Sequence, residues 1–243
     1  MPNKIPIILI ASLIRDRGWI LPEFLTHLDN INYPKDKIKL FFIINNSTDS
    51  SKEILANWDF SFYNNCTIIE ENFNNLKPDA RGKSRRHIYT ALTKLRNKVL
   101  SYFKYSKCDY LFTIDSDILV KPDILKELLS FNTEAASAVI YNDYGRGEIG
   151  NCMNFTNERA KHIKLEDVSN TFEADLSGAV TLYTREIINK NFKYKVSNKG
   201  EDYLFCKQLN EKGINFMCKK GLATHIMTKE RLKEYKNGKR KEI

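Results

Sequence analysis

Two aspartates separated by one residue, Asp115 and Asp117, follow directly after the apolar run from Leu111 to Ile114. Such a run predicts a buried strand, which would deliver both carboxylates to one edge of a sheet. Mg²⁺ and Mn²⁺ prefer oxygen ligands, and a cation held by one or two carboxylates keeps positions open for the phosphate oxygens of a substrate. The alternative is a polar turn in which Asp117 caps the helix that follows Pro122. The pair alone therefore leaves a metal site and a structural turn both open.

Two classes of reaction use a pair of aspartates at a strand end. In haloacid-dehalogenase-like phosphatases, Asp115 would be the nucleophile and Asp117 the general acid and base. That family usually places the motif on its first strand, with Thr or Val two residues after the second aspartate. Here more than one hundred residues come first, and Leu119 holds that position. The second class is the transfer of a sugar from a nucleotide diphosphate.

The residues around this pair alternate between apolar runs and amphipathic segments. Apolar side chains recur every three or four residues after Lys83 and predict a long helix through Ile88, Leu92, Leu95, Val99 and Tyr102. Strands are predicted at the apolar runs 5–12, 39–44, 67–69, 110–114 and 135–141. This alternation predicts an α/β fold with a Rossmann-like, mostly parallel central sheet flanked by helices. Ligands of such sheets bind beyond the carboxyl ends of the strands, where Ser12, Asn45 and Asp115 would lie.

The second part of the chain is less regular, but no flexible linker separates it from the first. Residues 142–170 are polar and contain clustered glycines, whereas residues 172–183 resemble a strand that contains Ser177-Gly178. Residues 200–212 predict a helix. We therefore predict a single domain over residues 1–243.

The composition narrows the class of protein without choosing a ligand. The chain has 243 residues, of which 42% are hydrophobic, and a net charge of +9, which suits one large globular core. A basic chain can meet nucleic acid, an anionic membrane surface or a phosphorylated ligand, but no recognised nucleic-acid motif is present. No apolar run reaches the roughly 20 residues that span a bilayer. The five cysteines lack CxxC spacing, so they predict reduced thiols in a cytoplasmic protein.

Several segments, taken in order, resemble the GT-A glycosyltransferases and especially their family-two group. The turn Asn45-Asn46-Ser47-Thr48-Asp49-Ser50 is similar to the D-[ND]-[GN]-S-T-D turn of that group, and Asp115-Ser116-Asp117 matches its DxD motif. Further similar segments are residues 8–25, the run Lys83-Ser84-Arg85-Arg86-His87 beside K-x-x-A-R-N, residues 177–186 beside G-x-x-x-L-x-R-R-E, and residues 200–213 beside G-E-D-x-D-L-x-x-R-L-x-x-x-G. The likeness extends from about Ile5 to His225.

The resemblance implies the chemistry of the site and the parts of the domain. Asp115 and Asp117 would hold Mn²⁺ or Mg²⁺ against the donor phosphates, and a late histidine, His225, would complete the metal site. Asp202, with Glu201 beside it, takes the position of the general base that deprotonates the acceptor. Contacts to the nucleotide sugar are implied for Ser12, Arg15, Asn45, Asp49, Lys83, Arg85, Asp115, Ser116 and Gly178. The implied parts are a nucleotide-sugar-binding half, an acceptor-side half and a basic C-terminal helix or tail, at residues 1–120, 121–228 and 229–243.

Three positions depart from the pattern of the family. Asn45 replaces the common aspartate, Arg86-His87 stands where Arg-Asn is usual, and Leu204 takes the place of the later aspartate in E-D-x-D. These departures concern the contact to the nucleotide base and the acceptor side.

The implied partners are a UDP- or GDP-linked sugar donor and a glycan, lipid-linked or protein acceptor, with no nucleic acid. The family-two likeness favours an inverting displacement. A non-catalytic module that binds nucleotide sugars is a further alternative. The basic residues 229–241 allow peripheral contact with an anionic membrane, although a solvated helix and tail is the more common outcome.

Overall fold

The computed structural model describes residues 4–73, 86–143, 148–157 and 159–239. The strands, in chain order, are β1 (Ile8–Ile14), β2 (Ile38–Asn45), β3 (Asn65–Glu71), β4 (Tyr110–Ile114), β5 (Ile118–Val120), β6 (Ala135–Ala138), β7 (Tyr141–Asp143), β8 (Glu148–Gly150), β9 (Met153–Thr156), β10 (Arg159–His162), β11 (Thr171–Ala174), β12 (Val180–Thr184), β13 (Phe216–Lys219) and β14 (Ala223–His225). The α-helices are α1 (Leu21–Asp29), α2 (Ser51–Asn57), α3 (Arg86–Tyr105), α4 (Ile124–Leu129), α5 (Glu186–Asn189), α6 (Glu201–Asn210) and α7 (Lys229–Lys236).

Within the described residues, the central sheet has eight strands in the order β11-β13-β6-β12-β4-β1-β2-β3. Strands β4, β1, β2 and β3 run parallel to one another, and β13 runs parallel to β6. Strand β12 is antiparallel to both β4 and β6, and β11 is antiparallel to β13. The predicted mostly parallel α/β sheet is confirmed.

The two faces of the sheet bury different side chains of the same strands, because neighbouring residues in a strand point to opposite sides. In β1, Ile8 and Ile10 join a core with helices α1, α2 and α4. Leu9 and Ala11 join a second core on the other face, with α3 and α6. Helices therefore cover both faces, as the alternating pattern predicted.

Two predicted strands are interrupted in the structure. The run 172–183 separates into β11 and β12, because Ala179 adopts a left-handed conformation with φ of 69° and each strand pairs with a different neighbour. The run 135–141 separates into β6 and β7. The polar segment 142–170, which carried no predicted strand, contains the β9–β10 hairpin in its described part.

Helix α7 begins with a capped turn, in which Thr228 accepts a hydrogen bond from the Arg231 backbone. Lys236 pairs with Glu23 of α1 at 2.6 Å, so the helix is tied to the domain. Across the described ranges, no helix combines the length and the apolar character needed to cross a membrane. Peripheral contact of this basic helix with a membrane stays a prediction.

Candidate active site

The carboxyl ends of β1, β2 and β4 meet at one edge of the sheet, where a cavity of about 690 Å³ opens. The cavity is lined by five of the predicted site residues that follow these strands: Arg15, Asn45, Asp115, Ser116 and Asp117. Glu201, at the start of α6, and His225, at the end of β14, complete the predicted residues in the lining. The structure thus brings together residues that lie more than two hundred positions apart in the sequence.

Asp115 is held by an arginine that the sequence analysis missed. Arg96 of α3 donates from Nη2 to Asp115 Oδ1 at 2.9 Å, and the same nitrogen lies 3.8 Å from Glu201 Oε1. Only 6% of Arg96 is exposed. Burial alone would lower the pKa of Arg96, but the charges of Asp115, Asp202 and Glu201 hold it well above its ordinary value, so the guanidinium is permanently charged.

Asp117 faces two further basic groups. Arg17 donates from Nη2 to Asp117 Oδ2 at 2.8 Å, and His225 Nε2 lies 3.5 Å from Asp117 Oδ1. Burial would raise the pKa of Asp117, but the hydrogen bond from His225 and the charge of Arg17 lower it below its ordinary value. The carboxylate is therefore ionised at neutral pH.

The orientation of His225 favours a metal ligand. Its Nδ1 lies 2.7 Å from an amide oxygen, Asn142 Oδ1. Because an amide oxygen can only accept a hydrogen bond, Nδ1 carries the proton. When Nε2 is protonated as well, it donates to Asp117, and this is the hydrogen bond that lowers the pKa of that carboxyl group. When Nε2 carries no proton, its lone pair faces the carboxylate across 3.5 Å, and a divalent cation could take both groups as protein ligands.

Metal binding by all three predicted ligands is not visible as a preformed cluster. Within the described residues, no three His, Cys, Asp or Glu side chains converge on one point. Asp115 is directed instead to Arg96. Mg²⁺ sites that serve phosphate substrates commonly use one or two protein carboxylates and take their other oxygens from the substrate and water. The assignment of Asp115, Asp117 and His225 to a metal stays a prediction.

A second cavity of about 730 Å³ adjoins the first and shares Asp115, Glu201 and His225 with it. Asp202 and Gly178 line only the second cavity. Burial, and then the charge of Glu201, raise the pKa of Asp202 to about 7, while Arg96 partly opposes this effect. A carboxylate with this pKa can accept a proton near neutral pH and release it again.

Gly178 makes the close approach to Asp202 possible. A Cβ at this position would lie 2.6 Å from Asp202 Oδ2, closer than van der Waals contact allows. The backbone here is held by a buried amide, because Asn151 Nδ2 donates to Gly178 O at 2.9 Å and Asn151 Oδ1 accepts from Ile140 N at 3.0 Å. The adjacent Ala179 carbonyl accepts from Asp115 N at 2.8 Å. This loop therefore joins Asp202 to the end of β4, which Asp115 follows.

Some predicted nucleotide contacts lie elsewhere. Ser12 is 2% exposed and lines neither of these two cavities. The carboxylate of Asp49 accepts hydrogen bonds from Gly18 N at 2.7 Å and from Ser51, so it fixes the loop before α2. Lys83 and Arg85 lie outside the described residues.

Arg96 carried a signal in the sequence that periodicity could have revealed. It is four residues after Leu92 and three before Val99, so it falls on the predicted buried stripe of the helix. A charged residue in such a stripe indicates a buried partner of opposite charge. The Arg-Asn pair of the K-x-x-A-R-N segment also has a counterpart here, Arg96-Asn97, further along α3 than Arg86-His87. No comparable signal marks Arg17 or Asn142.

Comparison with protein families places the chain in a known group. Residues 5–145, more than half of the chain, match the model of "Glycosyltransferase family 25, N-terminal domain". The chain therefore belongs to glycosyltransferase family 25. The resemblance to GT-A glycosyltransferases is confirmed, and this membership decides against the phosphatase alternative.

Curated relatives match a little over half of the chain. "Procollagen galactosyltransferase 1-A" of Xenopus laevis is 30% identical over 141 residues, which cover 56% of this chain and 23% of the relative. A "Glycosyltransferase 25 family member" of Drosophila melanogaster is 32% identical over 132 residues, which cover 51% of this chain and 21% of the relative. The match thus spans about a quarter of the length of these relatives or less.

Solved structures confirm the fold over almost the whole chain. TarS of S. aureus, residues 1–349, superposes with a TM-score of 0.60 at 15% identity, covering 90% of this chain and 60% of TarS. A mannosyltransferase from Pyrobaculum calidifontis, in complex with GDP-Man and Mn²⁺, gives a TM-score of 0.58 at 14% identity, covering 93% of this chain and 59% of the other. At these identities the likeness concerns the GT-A fold alone.

Proposed function

We propose that this protein transfers a sugar from a UDP- or GDP-linked donor to a hydroxyl group of a glycan, lipid-linked or protein acceptor. The observation that carries the proposal is the pair of adjoining cavities, which meet at Asp115, Glu201 and His225. One cavity holds the DxD carboxylates and three arginines, which suit a diphosphate. The other holds Asp202, a half-buried carboxyl group that can exchange a proton near neutral pH.

The donor would lie in the first cavity with its diphosphate near Arg15 and Arg17. Both arginines line this cavity, and guanidinium groups form charge-assisted, often bidentate, hydrogen bonds with phosphate oxygens. Asn45, at the end of β2, lies where a base or ribose could meet its amide. When Asp117 and His225 hold Mn²⁺ or Mg²⁺, the cation would neutralise charge that develops on the leaving nucleotide diphosphate. The mannosyltransferase solved with GDP-Man and Mn²⁺ supports a donor and a cation of this kind.

The acceptor would lie in the second cavity with its hydroxyl group towards Asp202. Asp202 takes the hydroxyl proton as the acceptor oxygen bonds to the anomeric carbon of the sugar. The bond from that carbon to the phosphate oxygen breaks, and its electron pair leaves with the nucleotide diphosphate. If the acceptor oxygen attacks from the second cavity while the diphosphate leaves on the far side of the anomeric carbon, the configuration at that carbon is inverted.

The first test is donor binding measured as thermal unfolding with Mn²⁺ and each of the nucleoside diphosphates UDP, GDP, ADP and CDP. A ligand that binds only the native state raises the Tm by mass action. We expect one nucleotide to stabilise the wild type only with Mn²⁺, and Asp117→Asn to abolish that response. Asp123→Asn is the matched control, because Asp123 is a nearby aspartate that lines neither cavity.

Transfer is then tested with the sugar donor that the stabilising nucleotide identifies, against acceptors of the three classes. Product formation that is lost in Asp202→Asn supports the base assignment. If no nucleotide at millimolar concentration raises the Tm of the wild type, the proposed donor site is wrong. Donor binding without turnover on any acceptor would instead favour a non-catalytic nucleotide-sugar-binding module.

A further inference from the structure

One buried guanidinium lies between two carboxylates where the two cavities meet. Arg96 Nη2 contacts Asp115 Oδ1 at 2.9 Å and lies 3.8 Å from Glu201 Oε1. Asp202 follows Glu201 in the first turn of α6, and its charge helps to hold the pKa of Arg96 above its ordinary value. Arg96 is 6% exposed and Glu201 is 9% exposed, so water screens this group weakly.

The two acids that Arg96 contacts line both cavities. Asp115 directly follows strand β4, whereas Glu201 begins helix α6. A single nitrogen, Nη2, faces both acids, and the buried Nε of Arg96 has no partner among the residues that the structure describes. If either carboxylate moves away, Nη2 therefore keeps only the other carboxylate as its partner.

The backbone that carries Arg96 is fixed by its neighbour. Asn97 Nδ2 donates to Tyr194 O at 2.9 Å, and Asn97 Oδ1 accepts from Tyr194 N at 2.9 Å. The Tyr194 ring stacks on Phe205 of α6 with centroids 4.0 Å apart. Helices α3 and α6 are thus joined beside Arg96. Because the backbone at Arg96 is held in place, only rotation of its side chain moves the guanidinium.

We propose that Arg96 is a positioning residue that joins Asp115, after β4, to Glu201, at the start of α6, and so couples the two cavities that both acids line. This inference rests on the proposed function for its role in transfer, but the charge coupling itself is a property of the fold. Arginine suits this role because its planar fork offers several donors and stays charged when buried. Arg96 itself needs no contact with either substrate.

The coupling is tested first without any substrate, by urea unfolding of a double-mutant cycle. Arg96→Met leaves the carboxylates of Asp115 and Glu201 without this counter-charge, so we expect it to lower the unfolding midpoint clearly. Adding Asp115→Asn or Glu201→Gln should restore part of that midpoint, because each removes one of the uncompensated charges. Effects that simply add in both double variants would overturn the proposal.

The matched control is Arg185, a second arginine that binds α3 but lies outside both cavities. It donates to the backbone carbonyls of Cys108, Lys104 and Phe103, where it caps the end of the helix. Arg185→Met should also lower the unfolding midpoint, but Asp115→Asn should not restore it. A restoration in this background as well would show a general effect of charge rather than a specific coupling.

The role in transfer is tested by kinetics with a donor and an acceptor that the wild type uses. In the wild-type background, Asp115→Asn and Glu201→Gln should each lower kcat/KM. The factor by which the double variant lowers kcat/KM should differ by about tenfold from the product of the two single factors. With Arg96→Lys, which keeps the charge, this deviation should shrink because the shorter lysine side chain does not place a nitrogen at the position of Nη2. An unchanged deviation in the Arg96→Lys background would refute coupling through Arg96.

The outcomes separate this inference from the proposed function. If the wild type transfers no sugar but the unfolding cycle is non-additive, the charge coupling stands and the proposed function fails. If transfer occurs and the unfolding cycle is additive, the proposed function stands and Arg96 only fills the core.

Discussion

Asp202 allows a prediction in which stability and the proposed catalysis oppose each other. Burial, and then the charge of Glu201, raise its pKa from 3.8 to about 7. Because the pKa is higher in the native state, the native protein keeps a proton that the unfolded chain has released. The stability contribution of Asp202 is therefore complete below the unfolded pKa and is lost as the pH rises through the folded pKa.

The size of the loss follows from the two pKa values. They differ by about three pH units, and each unit corresponds to about 1.4 kcal/mol, so Asp202 lowers the free energy of unfolding by up to about 4 kcal/mol above pH 7. Asp202→Asn cannot ionise and escapes this loss. We expect the variant to be nearly as stable as the wild type at pH 4. Its free energy of unfolding should exceed that of the wild type by a growing amount as the pH rises to 7, and should still exceed it at pH 8. The variant should also lose the proposed transfer, because it has no base.

Urea unfolding at a series of pH values between 4 and 8 measures the difference directly. Asp49→Asn is the control with the opposite sign. Burial acts to raise the pKa of Asp49, but hydrogen bonds from Ser51 and Gly18 lower it below 3.8. This control should therefore lose stability at neutral pH and recover it in acid. If Asp202→Asn is no more stable than the wild type at pH 8, Asp202 is not a desolvated carboxyl group and the reasoning fails.

Three further predictions concern the same loop and base. Gly178→Ala should lower kcat by at least about tenfold and stability by about 1–3 kcal/mol, because the added carbon forces the Asp202 carboxylate to move; steady-state kinetics and urea unfolding check this, and unchanged kinetics would contradict it. Asn151→Ala should lower stability by about 2–4 kcal/mol, since it leaves the buried Ile140 N–H and the Gly178 carbonyl without their partner; a loss under 1 kcal/mol by urea unfolding would show that water replaces the amide. The kcat/KM of the wild type should fall as the pH drops below about 7, because Asp202 must be ionised to accept a proton; a profile that stays flat down to pH 5 would assign the base elsewhere.

The fold was predictable where one physical pattern dominates a segment. The apolar run before Asp115 is buried in the centre of the sheet, and the spacing of apolar residues in α3 matches the helix that the structure describes from Arg86. Strand ends that face the same edge then placed Asn45 and Asp115 in one cavity. These inferences depend on periodicity and topology, which local sequence expresses directly.

The finer parts of the site depend on contacts between distant residues, and these have no local pattern. Asp49 seemed suited to a nucleotide by its motif, but its side chain caps a loop because Gly18 and Ser51 lie within reach of it. The partners of Asp117 are His225 of β14 and Arg17 of the loop after β1, so no pattern in the sequence near Asp117 predicts them. Resemblance to the family predicted which residues belong to the site, whereas tertiary packing decides which side chains contact them.

The β9–β10 hairpin has a consequence for how this protein could change its specificity. Strands β9 and β10 pair with each other. Within the described residues, the backbone of the hairpin also pairs with the segment before β12, through a bridge between Met153 and Leu176. It forms one wall of the second cavity through Met153, Arg159 and Ala160, and none of these residues lines the first cavity. Exchange of the hairpin would therefore alter the wall of the second cavity, which we propose holds the acceptor, while the first cavity, built on the central sheet, keeps its residues. Under that proposal, libraries confined to residues 153–162 would change the acceptor without changing the residues of the donor cavity.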